Sequence, residues 1–193
     1  RPLLDDESGN AAAVTRDYKV QAQSLPAPWL TVWGGKLTTF RLLSQEAADK
    51  VGQLLGDVRK PWTDDALLPG GDLRCVVGSP VHPVHDINEF AAALRQRCPW
   101  VDQNVLHRWA HTYGSRTLTW LEGAKRKVDL GAEVAPGLFE RELNYLRRYE
   151  WAQTAEDVLW RRTKLGLHYT VEQRAAVADW MTGAQASNQR SAA

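Results

Sequence analysis

Hydrophobic and polar positions divide this chain into three zones with different periods. From Ala13 to Val20 (Ala-Val-Thr-Arg-Asp-Tyr-Lys-Val) apolar and polar residues alternate loosely, the period of a strand. Trp29-Leu30-Thr31-Val32-Trp33 is a β-rich run of the kind a buried strand uses, and it ends at Gly34-Gly35. Leu37, Phe40, Leu43, Ala47, Val51 and Leu54 then recur every three or four residues, predicting a helix that stops at Gly56. Between Asp57 and His85 the breakers Lys60-Pro61, Leu68-Pro69-Gly70-Gly71, Ser79-Pro80 and His82-Pro83 interrupt every pattern. So long a connector is uncommon inside one compact domain, so a domain boundary is expected within it.

The third zone is helical throughout. Asp86 with Glu89 three residues on reads as a capping box ahead of Phe90 and Leu94. Asp102 caps a second helix through Leu106 and Trp109 to Gly114, and Ser115 a third through Leu118 and Leu121. Phe139–Trp151 predicts a fourth, with Leu143 and Leu146 inward; Thr154 caps a short fifth and Thr170 a sixth through Val177 and Trp180. From Ala184 the residues are small and polar, a frayed tail. The expected organisation is therefore 1–56, a connector 57–85, a helical domain 86–181 and a disordered tail 182–193.

Composition narrows the function classes. A net charge of +1 with both signs mixed along the chain gives no basic face for nucleic acid. No run of eighteen apolar residues offers a membrane span, and no signal peptide is visible. The chain opens on Arg1 and reads at once as packed structure, which predicts a piece of a longer protein. Nine tryptophans belong in a core or at a domain interface. Cys75 and Cys98 form no C-x-x-C pair and read as reduced thiols, with a disulfide between them left open.

The segment richest in chemistry is Val32-Trp33-Gly34-Gly35-Lys36-Leu37-Thr38-Thr39-Phe40-Arg41. A strand ends in two glycines, so a ligand can approach the backbone unobstructed. A helix begins directly after, and its first N–H groups and dipole, with Lys36 beside them, suit an anion. That anion could be a phosphate or the negative charge that develops on a reduced flavin. The same pattern also describes an ordinary strand-to-helix turn with a solvated lysine. It is not a P-loop, which needs a further glycine upstream.

Arg1-Pro2-Leu3 with Asp5-Asp6, Thr15-Arg16-Asp17-Tyr18 and Gly34-Gly35-Lys36-Leu37-Thr38-Thr39-Phe40-Arg41 together resemble the active-site end of FAD-dependent glycerol-3-phosphate dehydrogenases. That family belongs to the glycine-oxidase and D-amino-acid-oxidase fold group. Leu68-Pro69-Gly70-Gly71, Tyr113-Gly114, Asp129-Leu130-Gly131 and Leu159-Trp160-Arg161-Arg162-Thr163-Lys164 extend the resemblance in order, with Arg74–Val84 the least similar stretch. The resemblance implies a mainly α fold. An α/β segment from the end of an FAD-binding, D-amino-acid-oxidase-like domain would precede an all-α helical C-terminal domain. It implies oxidation of sn-glycerol 3-phosphate to dihydroxyacetone phosphate, with electrons leaving to a quinone or, in the oxidases of the family, to oxygen.

Residue by residue, the resemblance makes Arg1 and Arg16 substrate-binding, Arg1 on the phosphate, where a guanidinium fork fits bidentately. Surface ion pairs are the alternative for both. It makes Lys36 the catalytic lysine beside flavin and substrate, an electrostatic role. Gly34, Gly35, Leu37 and Thr38 would give the flavin backbone contacts, though Thr38 and Thr39 equally suit a plain first helical turn. The dinucleotide fingerprint G-x-G-x-x-G is absent from the chain, so FAD is expected in the full-length protein and not on this piece alone. The general base is expected upstream. A cytoplasmic, homo-oligomeric enzyme on the inner face of the cell membrane follows from the resemblance.

Other signals read as structural. His107 and His111, four apart, lack the further ligands of a zinc centre. His82 and His85 sit in a proline-rich loop. Lys125-Arg126-Lys127 reads as a solvated turn, and Arg161-Arg162 with Lys164 as domain packing rather than a lipid contact. A rival from another class is a helical module that binds a protein or a membrane surface through residues 86–181.

Overall fold

The computed structural model describes residues 17–57 and 59–191, and the chain divides into two compact units, Arg1–Ala66 and Leu67–Ala193. The division falls inside the expected connector. Of the substrate-binding candidates, Arg1 and Arg16 lie outside the described residues.

In the first unit β1 (Tyr18–Gln23) and β2 (Trp29–Gly34) form an antiparallel hairpin, in register from Tyr18 opposite Gly34 to Gln23 opposite Trp29. A 3-10 turn at Leu37–Thr39 leads into α1 (Phe40–Leu55), which packs on the hairpin and ends at Gly56. Of the Ala13–Val20 alternation, Tyr18–Val20 lie in β1, and Ala13–Arg16 fall outside the described residues. Among the described residues of this unit none is buried. Trp29, Trp33, Leu37 and Phe40 are all exposed, Leu37 at 89 %. The β-rich run Trp29–Trp33, expected as a buried strand, is therefore an exposed one.

The second unit is mainly helical and holds the core. Its elements are α2 (Arg74–Val77), α3 (Pro83–Arg97), α4 (Gln103–Tyr113), α5 (Thr117–Leu121), α6 (Glu140–Tyr149), a π-helical stretch Asp157–Arg162, and α7 (Val171–Ser191). Phe90, Leu94, Leu106, Trp109, Leu143, Leu146 and Val158 are shielded from solvent at its centre. Trp109 and Tyr113 meet Trp120 edge-on, with ring centroids 5.6 and 4.9 Å apart, the geometry that ring quadrupoles favour.

Several expectations are corrected here. Helix α3 begins at Pro83, not after Asp86: His82 is the cap, its ring Nδ1 accepting from Val84 N at 3.3 Å. The His82-Pro83 pair is a helix start because proline at the first position is preorganised and needs no N–H partner. Asp86 instead reaches back, accepting from Val81 N at 3.2 Å and His82 N at 3.4 Å. The stretch 57–85 therefore contains α2 and the start of α3 rather than connector alone. The third zone is not purely helical either. β3 (Glu133–Ala135) and β4 (Leu138–Phe139) form a small antiparallel hairpin about Pro136-Gly137. Helix α7 spans Val171–Ser191. Ser115, expected to cap the third helix, lies inside a 3-10 turn, and α5 starts at Thr117 with no side-chain cap, whereas two other caps fall where expected. Asp102 accepts from Asn104 N at 2.8 Å, and Thr170 and Gln173 satisfy one another's backbone N–H groups.

Candidate functional site

The Gly34–Thr39 turn follows from the hairpin register. Because Tyr18 stands opposite Gly34, the residue before Tyr18 and those just after Gly34 are brought to the same end of the hairpin. Asp17 and Lys36, nineteen positions apart, therefore meet, with Nζ 2.9 Å from Oδ1. Asp17 is within a motif already noted, but its partnership with Lys36 depends on strand pairing and had no local signal. The pair is exposed on both sides, so it orients Lys36 at little energetic cost to redirect.

The turn has φ of +70° at Gly34 and +108° at Gly35. A Cβ at Gly35 would find only ordinary contacts, Leu43 Cδ2 at 3.5 Å and Tyr18 Cβ at 3.8 Å. Glycine is thus required there by the backbone and not by crowding. Lys36 is extended (φ −111°, ψ 148°) and caps the 3-10 turn, its carbonyl accepting from Thr39 N at 3.1 Å. The Thr39 hydroxyl donates to the same carbonyl at 3.0 Å. Thr39 is thereby a capping residue. Leu37 and Thr38 offer their N–H groups at a helix start, where no intrahelical carbonyl is in reach. The structure so brings together Gly34, Gly35, Lys36, Leu37 and Thr38 as one exposed, glycine-lined edge carrying a single lysine.

The second unit shows why other motifs of the resemblance take their form. Leu68-Pro69-Gly70-Gly71 meets Tyr113-Gly114 backbone to backbone, with Ser115 N donating to Gly70 O at 3.0 Å. A Cβ at Gly70 would lie 2.2 Å from Tyr113 O, and one at Gly114 2.1 Å from Gly70 O. This clasp borders an open, largely apolar cavity of about 520 Å³ that Leu73, Val81 and Ile87 also line. The match of these two motifs thus reports packing.

Beneath the clasp is a polar cluster that sequence reasoning missed. Glu142 is fully buried, and four donors converge on its carboxylate. Oε1 accepts from Arg108 Nη1 at 2.6 Å and Tyr113 OH at 2.7 Å; Oε2 accepts from Arg108 Nη2 at 2.8 Å and Trp109 Nε1 at 2.7 Å. Arg108 also donates to Gly137 O at 2.7 Å, tying α4 to the β3–β4 turn. Burial opposes the charge on Arg108, but Glu142 outweighs it and holds the guanidinium pKa above its ordinary value. Burial first, then the charge of Glu142, push the Tyr113 phenol well up. The available signal was a glutamate four residues after Leu138 and four before Leu146, in line with the apolar stripe of α6. The cluster binds three elements together and leaves no open ligand position.

A family model describing the C-terminal domain of alpha-glycerophosphate oxidase matches residues 61–189. The chain is 38 % identical to the glycerol-3-phosphate dehydrogenase of Pseudomonas aeruginosa, over 94 % of this chain and 34 % of the relative. It is 37 % identical to the aerobic glycerol-3-phosphate dehydrogenase of Escherichia coli, over 94 % and 34 %. It is 40 % identical to the D-erythritol 1-phosphate dehydrogenase of Brucella abortus, over 95 % and 35 %. The chain spans about a third of the length of these relatives. Its helical unit, with the Gly70–Gly114 clasp and the buried Glu142 cluster, is where the family match lies, and the chain belongs to the family of the C-terminal domain of alpha-glycerophosphate oxidase.

Proposed function

We propose that this chain is the C-terminal part of an FAD-dependent dehydrogenase that oxidises sn-glycerol 3-phosphate at C2 to dihydroxyacetone phosphate. The observation that carries this reading is the similarity to glycerol-3-phosphate dehydrogenases across 94 % of the chain, well beyond the helical unit. The geometry of the turn supports the flavin reading. Gly34 and Gly35, both at positive φ, bare the backbone beside a helix start and one lysine. Gly34, Gly35, Lys36, Leu37 and Thr38 would hold the ring, and the nucleotide would be held by sequence outside this chain. The flavin, when bound, supplies the hydride acceptor.

Within that reading Lys36 stabilises negative charge as C2 is oxidised, an electrostatic contribution. Asp17 positions it through the 2.9 Å ion pair. In this reading Arg1 binds the substrate phosphate and Arg16 is a second substrate-binding arginine. Quinone is the proposed electron acceptor, which would place the homo-oligomeric enzyme at the inner membrane face from the cytoplasmic side. Among the described residues no helix is long and apolar enough to cross a membrane; the contact proposed is peripheral. This piece alone would be inactive.

The test uses the full-length protein purified with its flavin and mixed anaerobically with sn-glycerol 3-phosphate while the flavin absorbance is followed. Rapid bleaching is expected, with weaker substrate binding after Arg1→Ala and slower bleaching after Lys36→Ala. A second substrate, D-erythritol 1-phosphate, is tested in parallel because of the 40 % identity to the Brucella abortus enzyme. Bleaching only by the longer polyol phosphate would replace the substrate; bleaching by neither would remove the enzymatic reading. Reoxidation by quinone against oxygen decides between dehydrogenase and oxidase.

A further inference from the structure

Helix α4 carries His107 and His111 one turn apart, both exposed. Their rings lie side by side, with centroids 4.1 Å apart and planes inclined by 40°. Among the described residues neither ring takes part in a hydrogen bond or an ion pair with another group. Two imidazoles that bind one ion through nitrogens ~2.1 Å from it have ring centroids roughly 4.5–5 Å apart. In centroid separation the observed pair differs from that arrangement by only about 1 Å.

We propose that His107 and His111 form a two-point, exchangeable site for a divalent transition metal of the borderline class: copper(II), nickel(II) or zinc. A closed structural centre would need more protein ligands, and no third His, Cys, Asp or Glu joins the pair among the described residues. A surface chelate needs none, because water fills the remaining positions. The local charges permit it. Arg108, between the two histidines in sequence, is paired with the buried Glu142 at 2.6 Å, which neutralises its charge. The site falls in the last turns of α4 (Gln103–Tyr113), where the helix dipole favours added positive charge.

A consequence follows for the clasp. Tyr113 and Gly114, which end α4, hold Gly70 backbone to backbone. An ion bridging residues 107 and 111 cross-links successive turns of the helix and opposes fraying from that end. Metal binding would therefore stiffen the wall of the 520 Å³ cavity that the clasp borders.

The test is calorimetric titration of the whole chain with copper(II), nickel(II), zinc and magnesium chlorides in a non-coordinating buffer. A Cys75→Ser background removes the exposed thiol, and a His82→Ala/His85→Ala variant controls for the other histidine pair. One ion per chain is expected, with copper bound tightest and magnesium not at all. His107→Ala and His111→Ala should each weaken copper binding tenfold or more, and the copper spectrum should show two coordinated nitrogens in the parent and fewer in either variant. The melting temperature should rise with copper in the parent only, while circular dichroism of the metal-free variants matches the parent. A loss below tenfold in either single variant, or loss of copper binding in the His82→Ala/His85→Ala variant, overturns the proposal.

Discussion

Replacing Glu142 by glutamine tests how the helical unit is held together. The carboxylate offers two oxygens to four donors, all between 2.6 and 2.8 Å. A glutamine of the same shape keeps one oxygen and turns an NH₂ group toward the other two donors. Tyr113 can rotate its hydroxyl and accept, so the NH₂ should settle at the Oε1 position. Arg108 Nη1 cannot accept, and its buried charge is left without a counter-charge. Removing one partner of a buried pair costs about 3–5 kcal/mol, because the remaining charge stays desolvated. For a unit of this size, a loss of that magnitude lowers the unfolding midpoint by roughly 10–20 °C. The assay is urea and thermal unfolding followed by far-ultraviolet circular dichroism. The helical transition should fall, and any separate transition of the first unit should stay in place. Arg108→Met combined with Glu142→Met should recover part of the loss, because no orphan charge remains. A cost below about 1 kcal/mol for Glu142→Gln would refute the claim that this pair is a desolvated, mutually dependent unit.

Two further outcomes are expected. Gly114→Ala drives a Cβ to 2.1 Å from Gly70 O at a φ of +53°, so it should cost roughly 3 kcal/mol or more in urea unfolding. Near-parental stability would mean that the clasp is not close-packed. Trp151 lies just past the end of α6 at φ +54° and is 80 % exposed, and Ala152 N closes the turn on Leu146 O at 3.1 Å. A left-handed residue without glycine's freedom costs about 1 kcal/mol, so Trp151→Gly should raise stability by that order. A destabilised variant would show that the indole makes folding contacts despite its exposure.

Much of this fold is legible locally. The helix of Leu37–Leu54, the Asp102 cap, the α6 stripe of Leu143 and Leu146 and the Thr170 start all rest on signals within a turn or two of chain, and each appears close to its expected place. The misses have local causes as well. His82-Pro83 carries two meanings, breaker and first turn, and only the chain ahead of it decides between them. Pro136-Gly137 between two short apolar pairs is a hairpin signal, but strands of three and two residues are too short for an alternation to show.

By itself the sequence determined a helical domain following a strand-and-helix segment, and a glycine-lined turn with a lysine at its edge. Periodicity, caps and backbone freedom act over a few residues, so one sequence suffices to read them. Tertiary structure alone decided which distant groups meet. Hairpin register brings Asp17 to Lys36, helix packing buries Glu142 among Arg108, Trp109 and Tyr113, and backbone contact locks Gly70 to Gly114. Those partnerships join residues 19 to 44 positions apart, where no local rule couples the residue types and only the folded chain sets the distance.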